Sequence, residues 1–146
     1  MKVSTRARYG VRLMFELALH FGKGPIMLKD IAREEEISEK YLSQIIIPLR
    51  GLGLVKSVRG ARGGYTLSRL PSQIKVKEIV DILEGNGGLV DCIRNPLVCR
   101  RVPFCVSRDI WAMVGDKISE ILASVTLGDM VKMHRKRIEK NIMYNI

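Results

Sequence analysis

No stretch of the chain approaches the roughly 20 consecutive apolar residues that a bilayer-crossing helix needs, so a helical membrane protein is not expected. The opening segment, MKVSTRARYGVRLMF, has no uninterrupted apolar core either. Arg6, Arg8 and Arg12 break it up, which argues against a secretion signal and for a cytoplasmic protein. Thiols are absent everywhere except in one window, DCIRNPLVCRRVPFC, which holds Cys92, Cys99 and Cys105. An odd number cannot pair off, and in a reducing compartment disulfides are rare. Histidine is scarce too: His20 and His134 lie far apart, and no arrangement of His, Ser and acidic residues supports catalysis, so an enzyme is not expected. There is no internal repeat and no low-complexity tract.

What is present suits a folded protein. Hydrophobic residues make up 47% of the 146, and a mean hydropathy of +0.06 argues against intrinsic disorder. The length fits one domain with an extension. The formal net charge is +10 and it is unevenly placed: residues 1–70 carry 13 basic and 6 acidic side chains, against 12 and 9 in residues 71–146. A balance of +7 in the N-terminal half points to a polyanionic partner, with nucleic acid first among them.

Apolar spacing sets out the elements. Ala7, Val11, Met14, Ala18 and Phe21 predict an amphipathic helix over 5–20, capped by Ser4 or Thr5, with Arg8, Arg12 and Glu16 on the wet face. In LKDIAREEEISEKYLSQIIIPLRGLGLV, Leu28, Ile31 and Ala32 predict a short helix, and Ser38 is a natural cap for a second. The inner face of that second helix is Leu42, Ile45, Ile46 and Leu49. Two short helices joined by a tight turn read as a helix-turn-helix. Glu39, Lys40, Ser43 and Gln44 then point outward, with Tyr41 at the edge, as polar groups long enough to reach base edges in a major groove. Pro48 removes a helical hydrogen bond, so a kink or a stop is expected near Ile47.

The segment LVKSVRGARGGYTLS reads as strand, turn, strand, with Gly60, Gly63 and Gly64 in the turn and Lys56, Arg59 and Arg62 around it. A basic hairpin directly after a helix-turn-helix is a wing that follows the DNA backbone or enters the minor groove. The glycine spacing matches neither a P-loop nor a dinucleotide fingerprint. After Pro71 a short helix is expected with Ile79, Val80 and Leu83 inward and Gly85 closing it, and GNGG leads into the cysteine segment. From Ser107 to Val125 the stripe Ile110, Val114, Ile118, Ile121 and Val125, broadened by Trp111 and Leu122, predicts a long helix. Nineteen residues span about 28 Å, more than a small domain needs for its own core, which implies homodimerisation through this stripe. Thr126 and Asp129 form a capping box for a final helix ending in the basic HRKRIEK.

TRARYGVRLMFELA, the helix-turn-helix segment and SVRGARGGYTLS together resemble the Rrf-type winged-helix regulators, typified by the iron–sulfur regulator IscR, over residues from Met1 to about Val131. The resemblance implies a mainly α fold with a small β wing. It divides the chain into a winged helix-turn-helix domain (1–85), a cysteine-rich cluster-binding loop (86–106), and a dimerisation helix with a C-terminal helix (107–146). It also implies a homodimer on a roughly palindromic double-stranded DNA operator. Ser38, Glu39, Lys40, Tyr41 and Gln44 would face the major groove, and Arg59, Gly60, Arg62 and Gly63 would work in the wing.

The C-x6-C-x5-C spacing lacks paired zinc knuckles, and read alone it leaves an iron–sulfur cluster and a thiol switch both open. Arg94, Arg100, Arg101 and Arg108 would lower thiol pKa values in either case. The resemblance favours a cluster, of the 2Fe–2S or 4Fe–4S type, on Cys92, Cys99 and Cys105; the alternative is a metal-free, thiol-controlled or partner-controlled repressor like CymR. Where IscR-like proteins keep a histidine ligand this chain has Arg108, and where NsrR-like proteins borrow an aspartate from the partner it has Arg8. Asp91, Asp109, Glu84, a partner carboxylate, water or a small thiol are left for the fourth bond.

Overall fold

Ser4 opens the first helix, α1 (Thr5–Leu19), by accepting the Ala7 N–H on its hydroxyl at 3.0 Å. The computed structural model describes residues 1–85 and 88–145, so Asn86 and Gly87 of the GNGG linker lie outside the described residues. Ala7, Met14 and Ala18 are buried as the spacing predicts, while Val11 and Phe21 are only half-buried and Leu13 and Leu17 take the larger share. Glu16 corrects the predicted wet face. It is buried, because α1 packs against three further helices, the wing and the C-terminal helix, leaving little of its surface to water.

Helices α2 (Leu28–Glu35) and α3 (Glu39–Gly51) are joined by Glu36, Ile37 and Ser38. Glu36 takes the left-handed conformation (φ 54°, ψ 44°), the chain reverses, and Ile37 drops into the core with its N–H on the Ala32 carbonyl at 3.0 Å. Ser38 caps α3, accepting the Tyr41 N–H at 3.3 Å. The expected break at Pro48 does not stop α3, which continues to Gly51. One missing hydrogen bond is outweighed by the buried face of Leu42, Ile45, Ile46 and Leu49, which runs past the proline.

The hairpin follows as β1 (Val55–Val58) and β2 (Gly64–Leu67), antiparallel with Val55 opposite Leu67 and Val58 opposite Gly64. Ile26 adds a bridge: its N–H and C=O pair with Tyr65 at 3.0 and 2.8 Å. Gly64 has to be glycine there, since its φ is +147° and a Cβ would sit 2.4 Å from the Ile26 carbonyl oxygen.

Helix α4 (Val76–Glu84) buries Val76, Ile79 and Leu83, with the expected Val80 only half-buried. The cysteine segment contains a one-turn helix, α5 (Asp91–Arg94), and two 3₁₀ turns, and buries none of their residues. The long helix α6 (Val106–Ser124) also has no buried residue. At its end the chain returns to the winged body: Val76 N–H bonds to the Val125 carbonyl and Leu127 N–H to the Ile74 carbonyl, both at 2.9 Å. The Thr126–Asp129 capping box then starts α7 (Leu127–Tyr144), which runs past the expected HRKRIEK end. Leu127 and Val131 join the same core as α1, α3 and α4. Among the described residues, no helix is long and apolar enough to cross a membrane.

Candidate nucleic-acid interface and cysteine loop

The outward side of α3 carries the side chains that periodicity assigns to it. Ser38, Glu39, Lys40, Ser43 and Gln44 are all exposed, and Ser43 donates its hydroxyl proton to the Lys40 carbonyl at 2.6 Å. Tyr41 is placed differently: it is half-buried and meets the Tyr9 ring edge-on at 5.8 Å. The Arg8 and Arg12 guanidinium groups lie 5.8 and 5.4 Å from the centre of that same Tyr9 ring. Tyr41 therefore fastens α3 to α1. Pro48 has no N–H to offer the Gln44 carbonyl, which leaves an acceptor on the exposed side of α3.

In the wing, Lys56, Arg59, Gly60 and Arg62 are exposed, and Gly63 is buried because a Cβ on it would lie 2.1 Å from the Val58 carbonyl oxygen. Charge pairing separates the basic residues into two groups. Arg12 pairs with Glu35 at 2.6 Å and Arg33 with Asp30 at 3.1 Å. Among the described residues, Lys40, Lys56, Arg59 and Arg62 have no acidic partner. The uncompensated cations of the N-terminal half thus include those on the recognition helix and wing, where phosphates can neutralise them.

Behind the helix-turn-helix lies a buried acid that the periodicity of α1 did not reveal. Glu16 is 8% exposed, beside Glu34 and Glu35 of α2, with His20 Nδ1 3.9 Å from its Oε2. Burial first, then the hydrogen bond to Glu35 and repulsion from Glu35 and Glu34, push its pKa up to about 7. Arg12 holds Glu35 from the other side, reaching both its carboxylate and its backbone carbonyl.

Cys92 on α5 and Cys105 at the cap of α6 are half-buried, and Cys99 is exposed. The Cys105 thiol is held below its ordinary value by the Ser107 hydroxyl at 3.3 Å, then by the Arg108 and Ser107 backbone N–H groups. Arg101 contributes least, so the start of α6 does more for this thiol than the flanking arginines that the sequence suggested. Arg108 is instead engaged with backbone: its Nε–H donates to the Cys92 carbonyl at 3.2 Å, tying the loop's entrance to its exit. Among the described residues, no three Cys, His, Asp or Glu side chains gather around one point. By donor chemistry the loop suits an iron–sulfur cluster, with three soft thiols within reach of one another along the chain. Neither histidine stands ready as a fourth ligand: the Arg108 position offers a cation, His20 is held against the Glu16 carbonyl, and His134 stacks edge-on against Phe15 at 5.2 Å.

Along α6, Ile110, Ile118 and Ile121 are exposed, Ile121 to 63%, and Val114 and Val125 are half-buried. Trp111 and Met113 extend the apolar surface, and Phe104 beside it in the loop is 88% exposed.

A family model described as "Rrf2: Iron-dependent Transcriptional regulator" matches residues 3–133. The regulator CymR of Bacillus subtilis is 42% identical over 130 residues, 89% of each chain. IscR of Xenorhabdus nematophila is 34% identical over 132 residues, 90% of this chain and 80% of its own. Among solved structures, T. potens IscR aligns with a TM-score of 0.77 at 47% identity, covering 92% of this chain and 88% of that one. The B. subtilis structure described as CymR, the global cysteine regulator, aligns with a TM-score of 0.78 at 40% identity, covering 91% and 98%. With a winged helix-turn-helix, cations without acidic partners on α3 and the wing, and a match over nearly the whole length, this chain belongs to the Rrf2 family of transcriptional regulators.

Proposed function

We propose that the protein is a homodimeric, sequence-specific operator-binding regulator that reads its signal at the Cys92–Cys105 loop. One observation carries this reading. Recognition helix and wing present unpaired cations and exposed polar groups on one body, and the cysteine loop joins that body to a long helix on which Ile110, Trp111, Ile118 and Ile121 stay exposed. Crossing that helix with a second copy would set the separation of the two recognition helices and so the half-site spacing, roughly one turn of DNA or a multiple of it.

The signal is proposed to be an iron–sulfur cluster on Cys92, Cys99 and Cys105, with the fourth bond from outside these three. When bound, such a cluster would tie the loop at three points and add a one-electron redox centre. The chain's own part is to supply thiolates, which the start of α6 favours at Cys105, and to hold the loop's ends together through Arg108. A second reading, a metal-free thiol-controlled regulator, is favoured by the arginine at position 108 and by the exposure of Cys99.

In vitro selection from random duplexes, followed by fluorescence anisotropy, tests the DNA reading. Arg59→Ala should flatten the dependence of log affinity on log salt by about one unit, as loss of one phosphate contact requires. An unchanged slope would count against Arg59. Anaerobic reconstitution with iron and sulfide analysis separates the two loop readings: a colourless, iron-free protein leaves the thiol switch.

A further inference from the structure

One large apolar side chain on α3 faces the wrong way for a core residue. Ile45 and Ile46 are buried, but Ile47 is 67% exposed. It lies three residues after Gln44, four after Ser43 and seven after Lys40, so it continues their row along the helix. The next residue of that row, Gly51, is exposed and has no side chain to hold a duplex away. A singly exposed isoleucine is unremarkable on most surfaces. Its position in a row of polar groups that faces a groove is what calls for a ligand.

We propose that Ile47 is a specificity-determining residue that packs against the C5-methyl group of a thymine in each operator half-site. This rests on the DNA-reading function above. In the major groove the donors and acceptors of the bases suit Lys40, Ser43 and Gln44, and the one apolar feature is the thymine methyl. Isoleucine is also well suited to the task. Branching at Cβ restricts it largely to one χ1 rotamer within a helix, so little freedom is lost on contact. Pro48, directly after it, stiffens the backbone that carries it.

The test uses the full-length dimer and its selected operator. Each thymine is replaced in turn by uracil, which removes the methyl group and nothing else, and affinity is measured at fixed salt for the wild type and for Ile47→Ala. At one symmetric position per half-site, uracil should weaken the wild type by about fourfold, the worth of one buried methyl group. Ile47→Ala should bind the thymine and uracil operators equally, with an unchanged salt slope and circular dichroism spectrum. Uracil without effect at any position, or an equal uracil penalty in Ile47→Ala, would overturn the assignment while leaving the DNA-reading function standing. Absence of any selective duplex binding would overturn both.

Discussion

Glu16 shows how one residue can escape a periodicity reading and still govern solution behaviour. Its neighbours in sequence place it with Arg8 and Arg12 on a polar face, yet the fold closes α2 over it, and nothing local to α1 announces that second contact. In the folded chain it ionises near pH 7, against an ordinary value of 4.5. Between those values the folded state keeps a proton that the unfolded state releases. The contribution of Glu16 to stability is therefore full below about pH 4.5 and is lost as pH rises towards 7, by at most about 3 kcal/mol. Glu16→Gln should remove that slope and stabilise the protein at pH 8, read as the difference between variant and wild type in urea unfolding from pH 5 to 8. Equal slopes for the two proteins would show that Glu16 does not titrate in this range. Ile47 is the opposite case: its spacing is plain in the sequence, and only the fold shows that this apolar side chain lies outside the core.

Among the elements, the helix-turn-helix and the wing were readable because their signals are local. A Ser cap, a tight turn, two glycines beside a tyrosine and an inner row of Leu and Ile need no knowledge of distant contacts. The run of α3 through Pro48 was harder to read, since Leu49 on the inner row argues for continuing the helix and the proline argues for ending it. The wing's attachment was equally hidden, because the Ile26–Tyr65 bridge joins segments 39 positions apart. That bridge gives the wing a measurable weakness. Gly64→Ala puts a Cβ against the Ile26 carbonyl in a backbone region closed to alanine, and should cost roughly 2 kcal/mol in urea unfolding and weaken operator binding. Gly51→Ala meets open space in a helix and should be neutral or slightly stabilising. Equal effects at the two sites would show that the bridge does not hold the wing.

For the molecule as a whole, the signals in the sequence run out at the exposed side of α6. The stripe on α6 is visible in the sequence, and in the fold its Ile110, Ile118 and Ile121 stay exposed, as does Phe104 in the loop. The C-x6-C-x5-C spacing does not fix where the three thiols lie in space, so it could not decide between a cluster and bare thiols. Ile121→Asp, exposed in the single chain and so harmless to its folding, should yield monomers in sedimentation velocity. It should also lower operator affinity by about 100-fold or more, because two half-sites would no longer be bound as one. A dimer that survives this change would place the interface elsewhere.

The return of the chain at Thr126 has a mechanical meaning. With Val76 held to Val125 and Ile74 to Leu127, the path through α4, the cysteine loop and α6 is pinned at both ends to the same body. It behaves as a closed ring. Tension created inside the ring cannot leak away along α7, whose first turns are anchored in the core. On the proposed function, a ligand that tightened the loop would therefore act on α6, the element proposed to meet a second copy.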